Sequence, residues 1–389
     1  MKFTKILLAT LTFSFIQSCT NDDEITLINE AQLNTIYDAT LLKTTVIEPT
    51  ITGFEDATYT WKLGNEIIGN EKTLGFVSDT EGTYDLILEI KSLSKTSTIR
   101  TTVKVTNDSS STYSKYIAQV FDYLPAVGQF TNALPVYVAG ETQTEMTTKA
   151  AKALVGEKPS MITLGGYGGY VVFGFDHTII NKADKRDFKV LGNGFAGSSE
   201  PGIIMVAYDK NKNGKPDEDE WYEIAGSEYT NPNTIKNYTI TYTKPDETKT
   251  PIKGTIGWQT DIEYVKWSDN QGNLGFKTKN SYHKQSYYPL WFGQNELKFT
   301  GTLLPDNYVD QSGKGTYWVG KQYAYGYVDN APNNSEDSNI DIDWAVDKNG
   351  NPVKLMGIDF IKVYTATNQE AGWLGEISTE VAGAYDLHL

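Results

Sequence analysis

The 389-residue chain carries 34 basic against 49 acidic residues, a formal net charge of −15, which repels phosphate backbones and sets nucleic acid aside as a partner. With a single cysteine, Cys19, no internal disulfide can form, so stability has to come from burial, for which the length is ample. Tyr, Trp and Gly are abundant, and short runs of Tyr, Thr, Val and Ile between Gly, Asn and Asp clusters predict an all-β protein.

Lys2 and Lys5 form a basic start, Ile6 to Ile16 an apolar run, and Ser18 a small residue before Cys19. This is the pattern of a signal peptide over residues 1–18, and the run is too short to span a hydrocarbon core of roughly 30 Å. Ile16-Gln17-Ser18-Cys19 resembles a bacterial lipobox, which implies that the Cys19 thiol is lipidated and becomes the mature N-terminus. The acidic run Asn21-Asp22-Asp23-Glu24 resembles the surface-export signal of Bacteroidota lipoproteins. Residues 19–24 are then a lipidated tether, and the implied location is the outer membrane, facing the exterior.

Residues 25–106 read as the first folded unit. Tyr59-Thr60-Trp61-Lys62-Leu63 alternates before the turn Gly64-Asn65. Tyr84, Leu86, Leu88 and Ile90 fall on one face of a second strand, and Thr101 to Val105 makes a last one. A Trp in an early strand and a Gly-Thr-Tyr strand near the end resemble PKD-like, immunoglobulin-type sandwiches, which implies a spacer. The polar stretch Asn107 to Thr112 marks a linker over 107–113. Residues 114–389 form a larger unit with one expected helix, Glu145 to Leu154, which Gly156 can end.

Within that unit, Ile162 to Phe175 contains Gly165-Gly166-Tyr167-Gly168-Gly169. The spacing is not that of a nucleotide fingerprint and no helix pattern follows, so the glycines are expected to allow close backbone approach or a bulge. This strand is followed by Asp187 to Phe195 (DFKVLGNGF), Gly202 to Tyr208 and Trp221 to Gly226 (WYEIAG). Gly357 to Tyr364 and Gly372 to Glu376 come near the end. The order resembles secreted bacterial jelly-roll modules, in particular PKD-containing cell-surface lipoproteins of Bacteroidota. The resemblance implies a jelly-roll-like β-sandwich after the PKD-like one. It also implies an association with a TonB-dependent outer-membrane transporter, in some members for vitamin B12. It supplies no catalytic residue.

Asp209 to Glu220 matches the twelve-position calcium loop D-x-[DN]-x-[DN]-G-x5-E. Calcium takes six to eight oxygens, and this spacing converges several of them from one turn. Asp209, Asn211, Asn213, Asp217 and Glu220 would offer side-chain oxygens, Lys215 a backbone carbonyl, and Gly214 the sharp turn. Strand-like flanks make this a loop between two strands, and the alternative is an Asx-rich hairpin without metal. Alternation also places Asp337, Asn339, Asp341 and Asp343 on one strand face, as a second oxygen-rich site or simply a solvated face.

The histidines His177, His283 and His388 lie in no hydrolase motif, and His177 beside Asp176 is the one singled out as functional. Aromatic residues crowd the segment Tyr282 to Phe292, where Tyr287, Tyr288 and Trp291 are the expected ligand-stacking residues, whereas Trp221 and Trp344 are expected in the core. The sequence reading is a surface lipoprotein that non-enzymatically binds an extracellular nutrient, a glycan or a corrinoid, with calcium as its cofactor. A glycoside-active enzyme and a structural or adhesive surface protein are the alternatives.

Overall fold

The structure is a computed structural model that describes residues 31–157 and 160–389. The signal segment, Cys19 and the acidic run lie outside the described residues. The described residues are all-β apart from one α-helix and three short 3-10 turns. No helix among the described residues is long and apolar enough to cross a membrane.

The N-terminal unit is an immunoglobulin-type sandwich whose main sheet pairs Gly82–Lys91 with Thr96–Thr106 and Thr58–Leu63. The alternation read from sequence places Leu86, Leu88 and Ile90 in its core beside Trp61, all 1% exposed or less. The Trp61 indole N–H donates to the Glu71 carbonyl at 3.0 Å, so this large ring is buried without an unsatisfied donor.

The second unit is built on a six-stranded antiparallel central sheet. Its strands are β1 (Gln119–Leu124), β2 (Tyr170–Ile180), β3 (Gly202–Ala207), β4 (Tyr222–Ile224), β5 (Ala345–Val346) and β6 (Gly357–Thr365). The spatial order is β1-β2-β6-β3-β4-β5. One face presents Val171, Phe173, Ile361, Val363, Ile204 and Val206 to the main core. Helix α1 (Gln143–Leu154) caps that core, burying Met146, Ala150 and Leu154 at four-residue spacing. Thr142 and Glu145 close its N-terminus as a reciprocal capping box. On the opposite face, Ile203 and Tyr364 pack against Leu304 and Tyr327, beside a four-stranded sheet with its own aromatic core.

The glycine-rich segment is a place of close backbone approach. A Cβ on Gly169 would stand 1.8 Å from the Leu164 carbonyl oxygen, and one on Gly168, whose φ is +88°, would meet Phe299 at 2.2 Å.

The N-terminal sandwich is docked on the second unit rather than held apart from it. Thr178 N–H donates to Leu42 O at 2.8 Å, and Thr44 N–H to Thr178 Oγ1 at 2.9 Å. Asn70 reaches Pro352 O and Lys354 N–H, each at 2.9 Å. Gly75 lies flat on the Tyr208 ring, where a Cβ would sit 2.7 Å from the nearest ring carbon. The polar segment after Thr106 is itself tied down: Ser114 N–H donates to the Asp176 carboxylate at 3.0 Å, and Tyr113 OH to Leu41 O at 3.3 Å.

Candidate functional site

The cross-strand register of the central sheet sets Asp122, Val172, Lys362, Met205, Glu223 and Val346 side by side in one row. Side chains alternate across a sheet, so this row faces away from the main core and forms the floor of a groove. Three adjoining hollows of about 570, 440 and 340 Å³ run along it. The first two share Gln119 and Phe121, and the last two share Glu218, Trp221 and Lys362. Together they make one elongated cleft.

At one end Phe121 and Phe360 meet edge to face at 5.2 Å. Gly174 makes room for them, since a Cβ there would touch both rings at 3.0 Å. In the middle, the Lys362 ammonium lies 4.7 Å over the Tyr170 ring, whose hydroxyl donates to Asp122 at 2.6 Å. At the other end Lys236 sits over the Tyr229 ring and pairs with Glu223 at 3.1 Å. The half-buried Trp221 forms part of the wall, and its indole N–H donates to no acceptor among the described residues. Burial holds both lysine ammonium groups below the ordinary lysine pKa, and Glu223 partly offsets this at Lys236.

The Asp209–Glu220 loop rims this groove: Asp209, Lys212 and Gly214 line one hollow, and Lys215, Pro216 and Glu218 the next. Asp209 accepts from the N–H groups of Asn213 and Gly214 at 3.0 and 2.8 Å. Asp217 accepts from the side-chain amides of Asn211 and Asn213 at 2.6 and 2.7 Å. Glu220 is 1% exposed and accepts from Lys210 and Asp217 N–H at 2.8 and 3.0 Å. Burial pushes its carboxyl pKa up, while those backbone donors pull it back. Asp209, Asn211, Asn213, Asp217 and Glu220 thus form one curled set of hard oxygen donors, with Gly214 at φ +74° providing the turn. The two amides, turned over, would present oxygens where they now donate, so the donor set fits calcium chemistry. The loop is held at its base by half-buried Asp359, which accepts from Asp209 N–H at 2.9 Å, from Thr178 at 2.6 Å and from Thr44 at 3.2 Å.

Other sequence expectations are corrected by the structure. Tyr287 and Tyr288 are 2% and 0% exposed and belong to the aromatic core of the four-stranded sheet. Trp291 packs against the main core and donates to Gln143 at 2.8 Å. The two tyrosine rings cannot stack on a ligand, and half-buried Trp291 is taken up by Tyr123 and Tyr137; alternation and a proline gave no means of telling a folded-back loop from an exposed one. The reverse holds for Trp221, expected in the core and found on the groove wall. His177 is 2% exposed and bonded through both ring nitrogens to Asp176 and Asp386 at 2.9 Å each, at the edge of the first hollow of the groove. Asp337, Asn339, Asp341 and Asp343 do not converge. Asp341 pairs with Arg186 and Asp343 with Lys354, and Asp337 bonds Gln322.

Sequence reasoning missed an acid cluster in which Asp329 and Glu380 are buried and Glu200 half-buried. Carboxylate oxygens of Glu200, Asp329 and Glu380 lie within 4.8 Å of one another. Asp329 accepts from the N–H groups of Asn193, Gly194 and Glu380 at 2.7, 2.6 and 2.9 Å. Burial pushes all three carboxyl groups up, Glu380 to about 7. Nearby Glu376, buried against Gln129, is pushed up to about 8. Part of the signal for the groove was present in the chain: Asp122, Glu223 and Lys362 are charges inside largely apolar strands, though nothing local shows that they share one row.

A family model described as a PKD-like domain matches residues 24–92. No curated protein matches the chain. Among solved structures, the chain is similar to a SusE-like protein at 9% identity, covering 93% of this chain and 97% of that one with a TM-score of 0.24. It is also similar to a quinoprotein alcohol dehydrogenase-like protein from Bacteroides thetaiotaomicron at 20% identity, covering 24% and 21% with a TM-score of 0.18. A third likeness is to three N-terminal domains of the bacteriophage RB49 outer capsid protein Hoc, at 10% identity, 46% of each chain and a TM-score of 0.16. Likenesses at such TM-scores carry no argument about function.

Proposed function

We propose that this protein binds an extracellular glycan in the groove of the central sheet, without turning it over, as a surface accessory of an outer-membrane uptake system. The observation that carries this reading is the groove itself. It is elongated, lined by Trp221, Tyr170 and Tyr229, and provided with carboxylate, ammonium and indole N–H groups along its floor and wall. Rings suit the faces of sugars while polar groups fix their hydroxyls. An elongated trough suits a chain-like glycan better than a compact corrinoid. Anchoring through Cys19 follows from the lipobox resemblance, and a TonB-dependent transporter is the partner proposed from the same source.

The Asp209–Glu220 loop is proposed to hold a calcium ion through Asp209, Asn211, Asn213, the Lys215 carbonyl, Asp217 and Glu220. A bound ion would neutralise the gathered carboxylates and stiffen the groove rim.

Binding is tested by titrating a panel of oligosaccharides into the mature protein by calorimetry, alongside Trp221→Ala. Affinity that Trp221→Ala leaves unchanged would remove the groove from the account. Release of shortened products from labelled polysaccharide would replace the binding role with a glycoside-active one.

A further inference from the structure

The charges in the groove are not equally satisfied. Glu223 pairs with Lys236 and accepts from Thr302 Oγ1 at 2.7 Å. Asp122 accepts from Tyr170, from Gln143 Nε2 at 3.0 Å and from Tyr123 N–H at 2.8 Å. Lys362 differs. It stands in the middle of the floor, at the junction of two hollows. Among the described residues its ammonium has no hydrogen-bond acceptor and no carboxylate within 4.0 Å. Glu218 and Asp122 act on it only through space.

A cation held in a half-buried floor loses hydration, and the Tyr170 ring returns only part of it. Elsewhere in this sheet a charge so placed is matched by a protein partner. Here the open side of the ammonium faces the cleft. We infer that the groove takes an acidic glycan, whose ring carboxylate or ester sulfate seats on the Lys362 ammonium. This rests on the groove being the glycan site.

The geometry accounts for the neighbouring groups as well. With Asp122 and Glu223 each held by protein donors, Lys362 is the charge of the floor left to face a ligand, across the cleft from the exposed carboxylate of Glu218 on the rim. Trp221 and Tyr229 would hold the sugar rings on either side of the anion, while Lys362 reads its charge. Lys362 is in this sense a specificity residue, and the aromatic wall supplies the contact common to charged and neutral sugars.

The test uses matched pairs: oligogalacturonate against its methyl ester, and a sulfated galacto-oligosaccharide against its unsulfated form, titrated into the mature protein at low ionic strength. The acidic member of at least one pair should bind about 10- to 100-fold more tightly. Lys362→Met should erase that difference while keeping the melting temperature, and Lys362→Arg should restore it. Preference for the carboxylated or the sulfated pair identifies which anion is read. Equal affinity within both pairs, or a preference that survives Lys362→Met, overturns the inference and leaves the groove reading standing. Absence of binding by all four glycans overturns both.

Discussion

The hydroxyl of Tyr222, on strand β4, donates a hydrogen bond to the carboxylate of Glu71 in the N-terminal sandwich. Tyr222 is flanked by Trp221 and Glu223, which both line the groove, so the strand that builds the binding wall is bolted from behind by the other module. A hydrogen bond to a charged group contributes about 1.5–3 kcal/mol. Tyr222→Phe should lower stability by that order, read as a fall in the denaturation midpoint with m unchanged. The docked pair should unfold in one calorimetric transition, and Gly75→Val, which forces a side chain into the Tyr208 ring, should go further and split it in two. A split transition in the unmodified protein would contradict the docked arrangement.

Trp221→Ala should cost about tenfold or more in glycan affinity with little change in melting temperature. Tyr288→Ala should do the opposite: the ring is fully buried, and its loss should cost about 3–5 kcal/mol before binding is measured at all. The pair of variants separates the groove from the aromatic core within one set of titrations.

His177 bridges buried Asp386 and partly exposed Asp176, joining β2 to the C-terminal strand Gly383–Asp386. Removing one partner of such a buried pair leaves the others uncompensated, and His177→Ala should destabilise by about 3 kcal/mol. Glycan affinity measured well below the new melting temperature should be unchanged. A loss of affinity there would give His177 a part in binding.

Glu376 has a pKa of about 8 in the folded protein against an ordinary 4.5. The native state therefore holds a proton that the unfolded chain has released. The stability associated with that proton is complete below about pH 4.5 and is lost as pH rises through about 8. Each such proton gives a slope of up to about 1.4 kcal/mol per pH unit in that window, and Glu380, at about 7, adds in the same direction. Denaturant midpoints should fall between pH 5 and pH 8, and Glu376→Gln should flatten the slope. A midpoint that rises over this range would be inconsistent with a buried protonated acid.

Calcium at 100 times its dissociation constant should add about 2.7 kcal/mol to stability, seen as a rise in melting temperature that a chelator reverses and Asp209→Ala abolishes. No shift at millimolar calcium would leave the loop as an Asx-rich hairpin.

Local patterning made the N-terminal sandwich legible: a period of two over Tyr84 to Ile90 and one early Trp are enough to place its core. Helix α1 was readable apart from its first two residues and its cap, because a helix reflects contacts close along the chain, whereas the glycines of Gly165 to Gly169 signalled close approach without naming the distant Phe299 as a partner. The groove was not readable. Its floor is assembled from six strands separated by up to 240 residues or so, and only the pairing of Asp122, Lys362 and Glu223 across the sheet brings their charges together. The same lack of long-range register hid the burial of Tyr287 and Tyr288. Aromatic density reports that rings are present, and only packing decides which of them meet water.

Asp359 takes hydrogen bonds at once from Thr44 of the first sandwich, Thr178 of the sheet and the backbone of Asp209, and Lys43 and Thr44 close one end of the cleft. Exchanging the first sandwich for another of the same shape would leave that carboxylate short of a donor and strip the end wall from the site. Point substitutions along the cleft leave these contacts intact whereas exchanging the module does not, so the two sandwiches have to be moved and engineered as one cassette.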